Sequence, residues 1–85
     1  MDLHELIIEI PQDYSEVSFA DKRYSLTRKD FNQGRSIKVF ARELGGTDFI
    51  SFNYYLTEGG PLLKPCEMPL AKVEQFLRQM AKVGS

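Results

Sequence analysis

Three sets of residues carry side chains able to do chemistry. Cys66 is the one thiol of the chain, in Lys64-Pro-Cys-Glu-Met68. A nucleophilic thiol needs its proton drawn off by a cation or a helix N-terminus. Lys64 and a helix start downstream supply these, Glu67 opposes them, and no second cysteine exists to resolve an oxidised intermediate. His4 is the one histidine, and any Ser–His–acid triad would have to rest on it. The third set is different in kind: Lys38, Phe40 and Arg42 alternate along one segment, and Phe49, Ser51, Asn53 and Tyr55 along the next. Flat rings beside cations are what a single nucleic-acid strand needs, the rings for its bases and the cations for its phosphates. Gly45-Gly46 and Gly59-Gly60 read as turns, not as a phosphate-cradling loop. With one cysteine and no His/Cys cluster, neither a disulfide within the chain nor a structural zinc site is expected. The chain reads as a non-enzyme without cofactor or metal.

The segments that must position the third set alternate on both sides of Gly45-Gly46. If Leu44 pairs with Thr47, then Ala41 faces Ile50, Val39 faces Phe52 and Ile37 faces Tyr54, all on one side of the ribbon. That side is core. The other side carries Lys38, Phe40, Arg42, Phe49, Ser51, Asn53 and Tyr55. Glu43 and Asp48 fall opposite one another near the turn, as exposed like charges. Residues 16–27 read as a second hairpin around Asp21-Lys22, with Phe19 facing Tyr24 and Val17 facing Leu26, and Arg23 on the far side. Thr27-Arg-Lys-Asp30 fits a shortened capping box that opens one helical turn ending at Gly34. Leu62-Leu-Lys-Pro65 reads as a short edge strand.

Leu3 to Ile10 is apolar and rich in β-branched residues, stopped by Pro11; residues 1–12 read as an edge strand or a mobile terminus. From Pro69 to about Lys82, Leu70, Val73, Phe76, Leu77, Met80 and Ala81 recur at helical spacing, with Pro69 as the first helical residue. The fold expected is α+β: a four- to five-stranded antiparallel sheet with hairpins 16–27 and 36–57, and one C-terminal helix (about 69–82) packed on one face.

Eighty-five residues suit one domain, 1–85, with a small core, and a homodimer that shares apolar surface suits a chain of this size. No signal peptide and no apolar run of membrane-spanning length is visible, so a cytoplasmic, non-membrane protein is expected. The net charge of −1 conceals a division. Residues 1–20 hold five acids and no Lys or Arg, whereas residues 21–43 hold seven cations against three acids. A basic middle behind an acidic lead either makes a face for a polyanion or pairs internally.

Two resemblances add to this. Tyr24-Ser-Leu-Thr-Arg-Lys-Asp-Phe31, the Lys38–Tyr55 hairpin and Leu63-Lys-Pro-Cys-Glu-Met-Pro69 resemble a family of short bacterial and phage-associated proteins. Some of its members carry the label peptide methionine sulfoxide reductase, which implies a thiol-dependent reductase. This chain has neither the Gly-Cys-Phe-Trp-type motif nor the paired cysteines that known reductases use. Lys22-Arg-Tyr-Ser-Leu-Thr-Arg28, Lys64-Pro65 and Val73-Glu-Gln-Phe76, with strands preceding a C-terminal helix, resemble the transcriptional positive-coactivator family. That resemblance implies dimers that grip single-stranded DNA on a curved sheet. Where that family continues its Lys-Pro with basic residues, this chain has Cys66-Glu67.

The reading with most support is therefore binding of single-stranded DNA or RNA. In it Phe40, Phe49 and Tyr55 stack bases and Arg23, Lys38 and Arg42 hold phosphates. A protein-interaction or homodimer module using the same face is the alternative, and a thiol-dependent reductase the third.

Overall fold

Alternation on either side of Gly45-Gly46 builds the centre of the sheet, and the rest of the chain adds to it from both edges. The computed structural model describes residues 2–83. Its elements are α1 (Leu3–Ile8), β1 (Asp13–Phe19), β2 (Lys22–Phe31), β3 (Ser36–Glu43), β4 (Phe49–Thr57), β5 (Gly60–Pro65), α2 (Leu70–Gln79) and β6 (Ala81–Lys82). The strands form one antiparallel sheet in the order β5-β4-β3-β2-β1-β6. The architecture is α+β as expected, with six strands where four to five were expected.

The central hairpin has the register read from its alternation: Ala41 opposes Ile50, Val39 opposes Phe52 and Ile37 opposes Tyr54. All six side chains are buried. Gly45 takes φ 80°, which the tight turn requires and which glycine adopts without a steric penalty. The β1–β2 hairpin is shifted from expectation by two residues, with Phe19 opposite Lys22 and Val17 opposite Tyr24. The turn is Ala20-Asp21, both at positive φ (53° and 64°), which is the mirror-image turn whose twist matches that of the strands. A shift of two leaves every side chain on its expected face.

Three expectations fail for identifiable reasons. The N-terminal segment is a helix, not an edge strand. The Asp2 side chain caps it by accepting from Glu5 N–H at 2.9 Å, and Leu3, Leu6 and Ile7 fall on one helical face against the core, with Ile10 just beyond the helix end joining them. Thr27 to Phe31 does not open a helical turn: β2 continues to Phe31, paired with Ser36, and only Asn32–Gly34 forms a 3-10 turn. Gly34 does take the left-handed exit, at φ 87°. The C-terminal helix stops at Gln79, and Pro69 is its N-cap and not its first residue. Met80 turns extended (φ −66°, ψ 149°), so that Ala81 and Lys82 pair with Ser18 and Val17. Those two residues satisfy backbone groups that the outer side of β1 would otherwise leave unpaired.

Both helices lie on one face. Ile7 and Ile10 from the N-terminal segment, and Val73, Phe76 and Leu77 from α2, close over Val17, Tyr24, Leu26, Ile37, Val39, Ala41, Ile50, Phe52 and Tyr54. Burial of side chains of this size contributes roughly 1.5–3 kcal/mol each. Phe19, Tyr24 and Phe76 meet edge-on, with centroids 5.1–5.9 Å apart. The buried Arg28 fastens α1 to the sheet. Its Nη1 donates to the carbonyls of Ile8 (3.0 Å) and Ile10 (2.8 Å), while Nε and Nη2 grip Asp30 at 2.8 and 2.9 Å. A cation at the C-terminal end of a helix satisfies its last carbonyls and complements its dipole. Pro61 and Pro65 stand in β5, the strand at the far edge. No helix among the described residues is long and apolar enough to cross a membrane.

Candidate functional site

With both helices on one side, the pleat directs the alternate residues of five strands onto the other, and the registers arrange them in rows. One row runs Tyr14, Thr27, Phe40, Ser51. Cys66 extends it, since its N–H donates to the Ser51 carbonyl at 2.9 Å. The next row along the strands runs Lys29, Lys38, Asn53, Lys64, and the one after it Phe31, Ser36, Tyr55, Leu62. On the other side of Phe40 lie Glu16, Ser25, Arg42 and Phe49, then Ser18 and Arg23.

This arrangement brings all six expected residues, Arg23, Lys38, Phe40, Arg42, Phe49 and Tyr55, onto one sheet face. Phe40 and Phe49, diagonal neighbours on β3 and β4, stack at 6.1 Å between centroids with 25° between planes. Phe40 is 39% exposed and Phe49 half-buried beneath it; Tyr55 is half-buried in the row beyond Lys38. Arg23, Lys38 and Arg42 are exposed and make no ion pair with a described residue.

The face also holds residues that the sequence reading did not single out. Tyr14 (59% exposed), Phe31 (52%) and Leu62 (44%) add apolar surface, and Lys29 and Lys64 add charge. The face thus carries five cations (Arg23, Lys29, Lys38, Arg42, Lys64) among its strand residues, against two carboxylates, Glu16 and the Asp13 group that pairs with Lys29. Glu16 accepts from the Tyr14 hydroxyl at 3.0 Å, and that bond raises the Tyr14 phenol above its ordinary value.

The acidic lead mostly lies elsewhere. Asp2, Glu5 and Glu9 belong to α1 or its caps on the helix side, and only Asp13 reaches across to a cation, Lys29, at 3.2 Å. Internal pairing therefore takes up only part of the basic middle. Arg28 holds Asp30, and Lys22 approaches Glu43 at 3.8 Å.

The other reactive groups have structural partners. Glu43 and Asp48 do face each other, but not as exposed like charges. Glu43 Oε1 accepts from Asp48 N–H at 3.2 Å. The Asp48 carboxylate accepts from Lys72 Nζ and from the Tyr24 hydroxyl, each at 2.7 Å. His4 Nδ1 meets the hydroxyl of the buried Tyr54 at 2.6 Å, on the helix side of the sheet. Cys66 is half-buried at the margin of the free face, where Asn53 Nδ2 donates to its sulfur at 3.4 Å. Among the described residues no three His, Cys, Asp or Glu side chains are grouped to hold a metal ion.

No family model, curated protein or solved structure matches this chain.

Proposed function

We propose that this protein binds single-stranded nucleic acid, DNA or RNA, on the free face of its sheet, as a non-catalytic binding domain of the cytoplasm. The observation that carries the reading is the composition of that face: five cations against two carboxylates, interleaved with exposed aromatic rings. Phe40, Phe49 and Tyr55 stack bases, each stacked base contributing about 1–3 kcal/mol. Arg23, Lys38 and Arg42 meet phosphates, and Tyr14 and Phe31 widen the stacking surface. The resemblance of Lys22–Arg28 and Lys64-Pro65 to the positive-coactivator family supports the same reading.

A protein partner is the second reading, favoured by the exposure of Tyr14, Phe31 and Leu62. A copy of this chain laid face to face would set the same cations against each other, so that partner would need acidic groups.

The test is titration of labelled single-stranded DNA and RNA oligomers at low and moderate salt, with the mass in solution recorded alongside. Salt-sensitive binding that disappears in a Phe40→Ala/Phe49→Ala variant supports the stacking face. A folded protein that retains neither oligomer overturns it. A dimeric mass that the double variant reduces to a monomer assigns the rings to an interface between copies.

A further inference from the structure

We infer that a bound nucleic-acid strand crosses the sheet at right angles to its strands, its phosphates following the row Lys29, Lys38, Asn53, Lys64 and its bases lying on the aromatic rows to either side. This rests on the reading of the free face as a nucleic-acid surface and refines it by fixing the path: of the three cations given to phosphates above, Lys38 lies in the row, and Arg42 and Arg23, two and three rows away, stand outside it.

The register places Lys29 beside Lys38, Lys38 beside Asn53 and Asn53 beside Lys64, on four adjacent strands. At about 4.8 Å between strands the row is roughly 14 Å long. Along it stand three ammonium groups and one amide, with neither a ring nor a carboxylate between them. Each neighbouring row is about 6.7 Å away along the strands. One holds Tyr14 and Phe40, with Phe49 stacked beyond, and the other holds Phe31 and Tyr55. Every ring of the face therefore flanks the cation row, and none interrupts it.

A path along a strand has no such continuity. Following β3, a backbone would meet Lys38, then Phe40, then Arg42, with a phosphate over a ring at the middle step. The cross-strand lysines are also free to act. Lys38 and Lys64 make no ion pair with a described residue. Lys29 pairs with Asp13, but with side chains 59% and 80% exposed that pair is easily exchanged for a phosphate. Lysine meets phosphate as a point charge without bidentate geometry, so the ligand class is a backbone read without base preference.

The experiment measures the affinity of oligodeoxythymidylate over a salt series for the wild type, Lys29→Gln, Lys64→Gln and Lys82→Gln. Lys82, on β6, is exposed and registers with the core residue Val17, on the helix side. Lys29→Gln and Lys64→Gln, on strands separated by two others, should each lower the log–log salt slope by about 0.7, and Lys82→Gln should leave it unchanged. Unchanged slopes in both, with a lower slope in Arg42→Gln, overturn the path but leave binding on this face intact. A folded wild type that does not bind the oligomer overturns both the path and the function beneath it.

Discussion

The Tyr24 hydroxyl donates to the Asp48 carboxylate across 2.7 Å, joining β2 to the end of the central hairpin. Lys72 of α2 donates to the other oxygen of the same carboxylate, so one group ties helix, hairpin and neighbouring strand together. The bond from Lys72, and then that from Tyr24, hold Asp48 below its ordinary value of 3.8. Burial, and then the bond to Asp48, push Tyr24 well above its ordinary 10.0.

These shifts link stability to pH at both the acid and the alkaline end. A carboxylate whose folded value is depressed contributes stability that is present above 3.8 and lost as the pH falls through its folded value. A phenol whose folded value is raised contributes stability that is present below 10.0 and lost as the pH rises toward that folded value. Tyr24→Phe should cost about 1.5–3 kcal/mol at neutral pH, as for a hydrogen bond to a charged group. Urea unfolding across pH checks both limbs. The gap between wild type and Asp48→Asn should close below pH 3.8, and that between wild type and Tyr24→Phe should narrow above pH 10.0. Gaps that stay constant would refute the linkage.

Arg28 offers a second test. Removing it leaves Asp30 without its fork and two carbonyls at the end of α1 without a donor. Arg28→Ala should cost about 3–5 kcal/mol, the range for breaking a buried ion pair from one side. Arg28→Lys should recover little, because an ammonium cannot span both carbonyls and the carboxylate. Hydrogen exchange should show protection in α1 falling first; loss spread evenly over the chain would mean that Arg28 does not anchor the helix.

The stacking of Phe40 on Phe49 predicts coupling. If both rings hold bases, Phe40→Ala or Phe49→Ala alone should lower affinity for single strands by about 1–3 kcal/mol. The double variant should lose less than the sum, since each truncation already disturbs the other ring across 6.1 Å. Strict additivity in a double-mutant cycle would indicate that the rings act separately.

The Ala20-Asp21 turn holds two residues with side chains at positive φ. Replacing the pair by Asn-Gly, whose backbone preferences fit this turn, should stabilise the fold by about 0.5–1 kcal/mol. A rise in the urea midpoint at unchanged m-value would register the gain. A fall would show that Ala20 or Asp21 makes a contact which outweighs the turn geometry.

The contrast between the two hairpins shows what the sequence can disclose. Gly45-Gly46 marks its turn and the alternation on both sides agrees, so the pairing of Val39 with Phe52 could be read directly. Ala20-Asp21 carries no glycine, and with alternation of period two, registers two residues apart look alike. The N-terminal segment misleads for another reason. Leu3, Leu6, Ile7 and Ile10 follow helical spacing, but the intervening Ile8 makes the same run resemble a buried strand. Ile8 is 42% exposed in the structure. Six residues of the face could be named because their own hairpins position them. Lys29, Phe31 and Lys64 could not, because their rows exist only once β2 runs to Phe31 and β5 docks on β4. Tyr14 was missed because β1 starts three residues before the expected hairpin.

The two prolines of β5 have a consequence for how far the sheet can extend. The Cys66 N–H points inward to Ser51, so by alternation the amide positions of β5 that point away from the sheet are 61, 63 and 65. Proline occupies the first and last, which leaves Leu63 as the one outward donor on that margin. An incoming chain would find a row of acceptors with a single N–H among them, too few for a ladder. The free face of this small domain, basic and aromatic, is thus bounded on one side by an edge that will not template another strand, a safeguard against fibrous growth written into two residues.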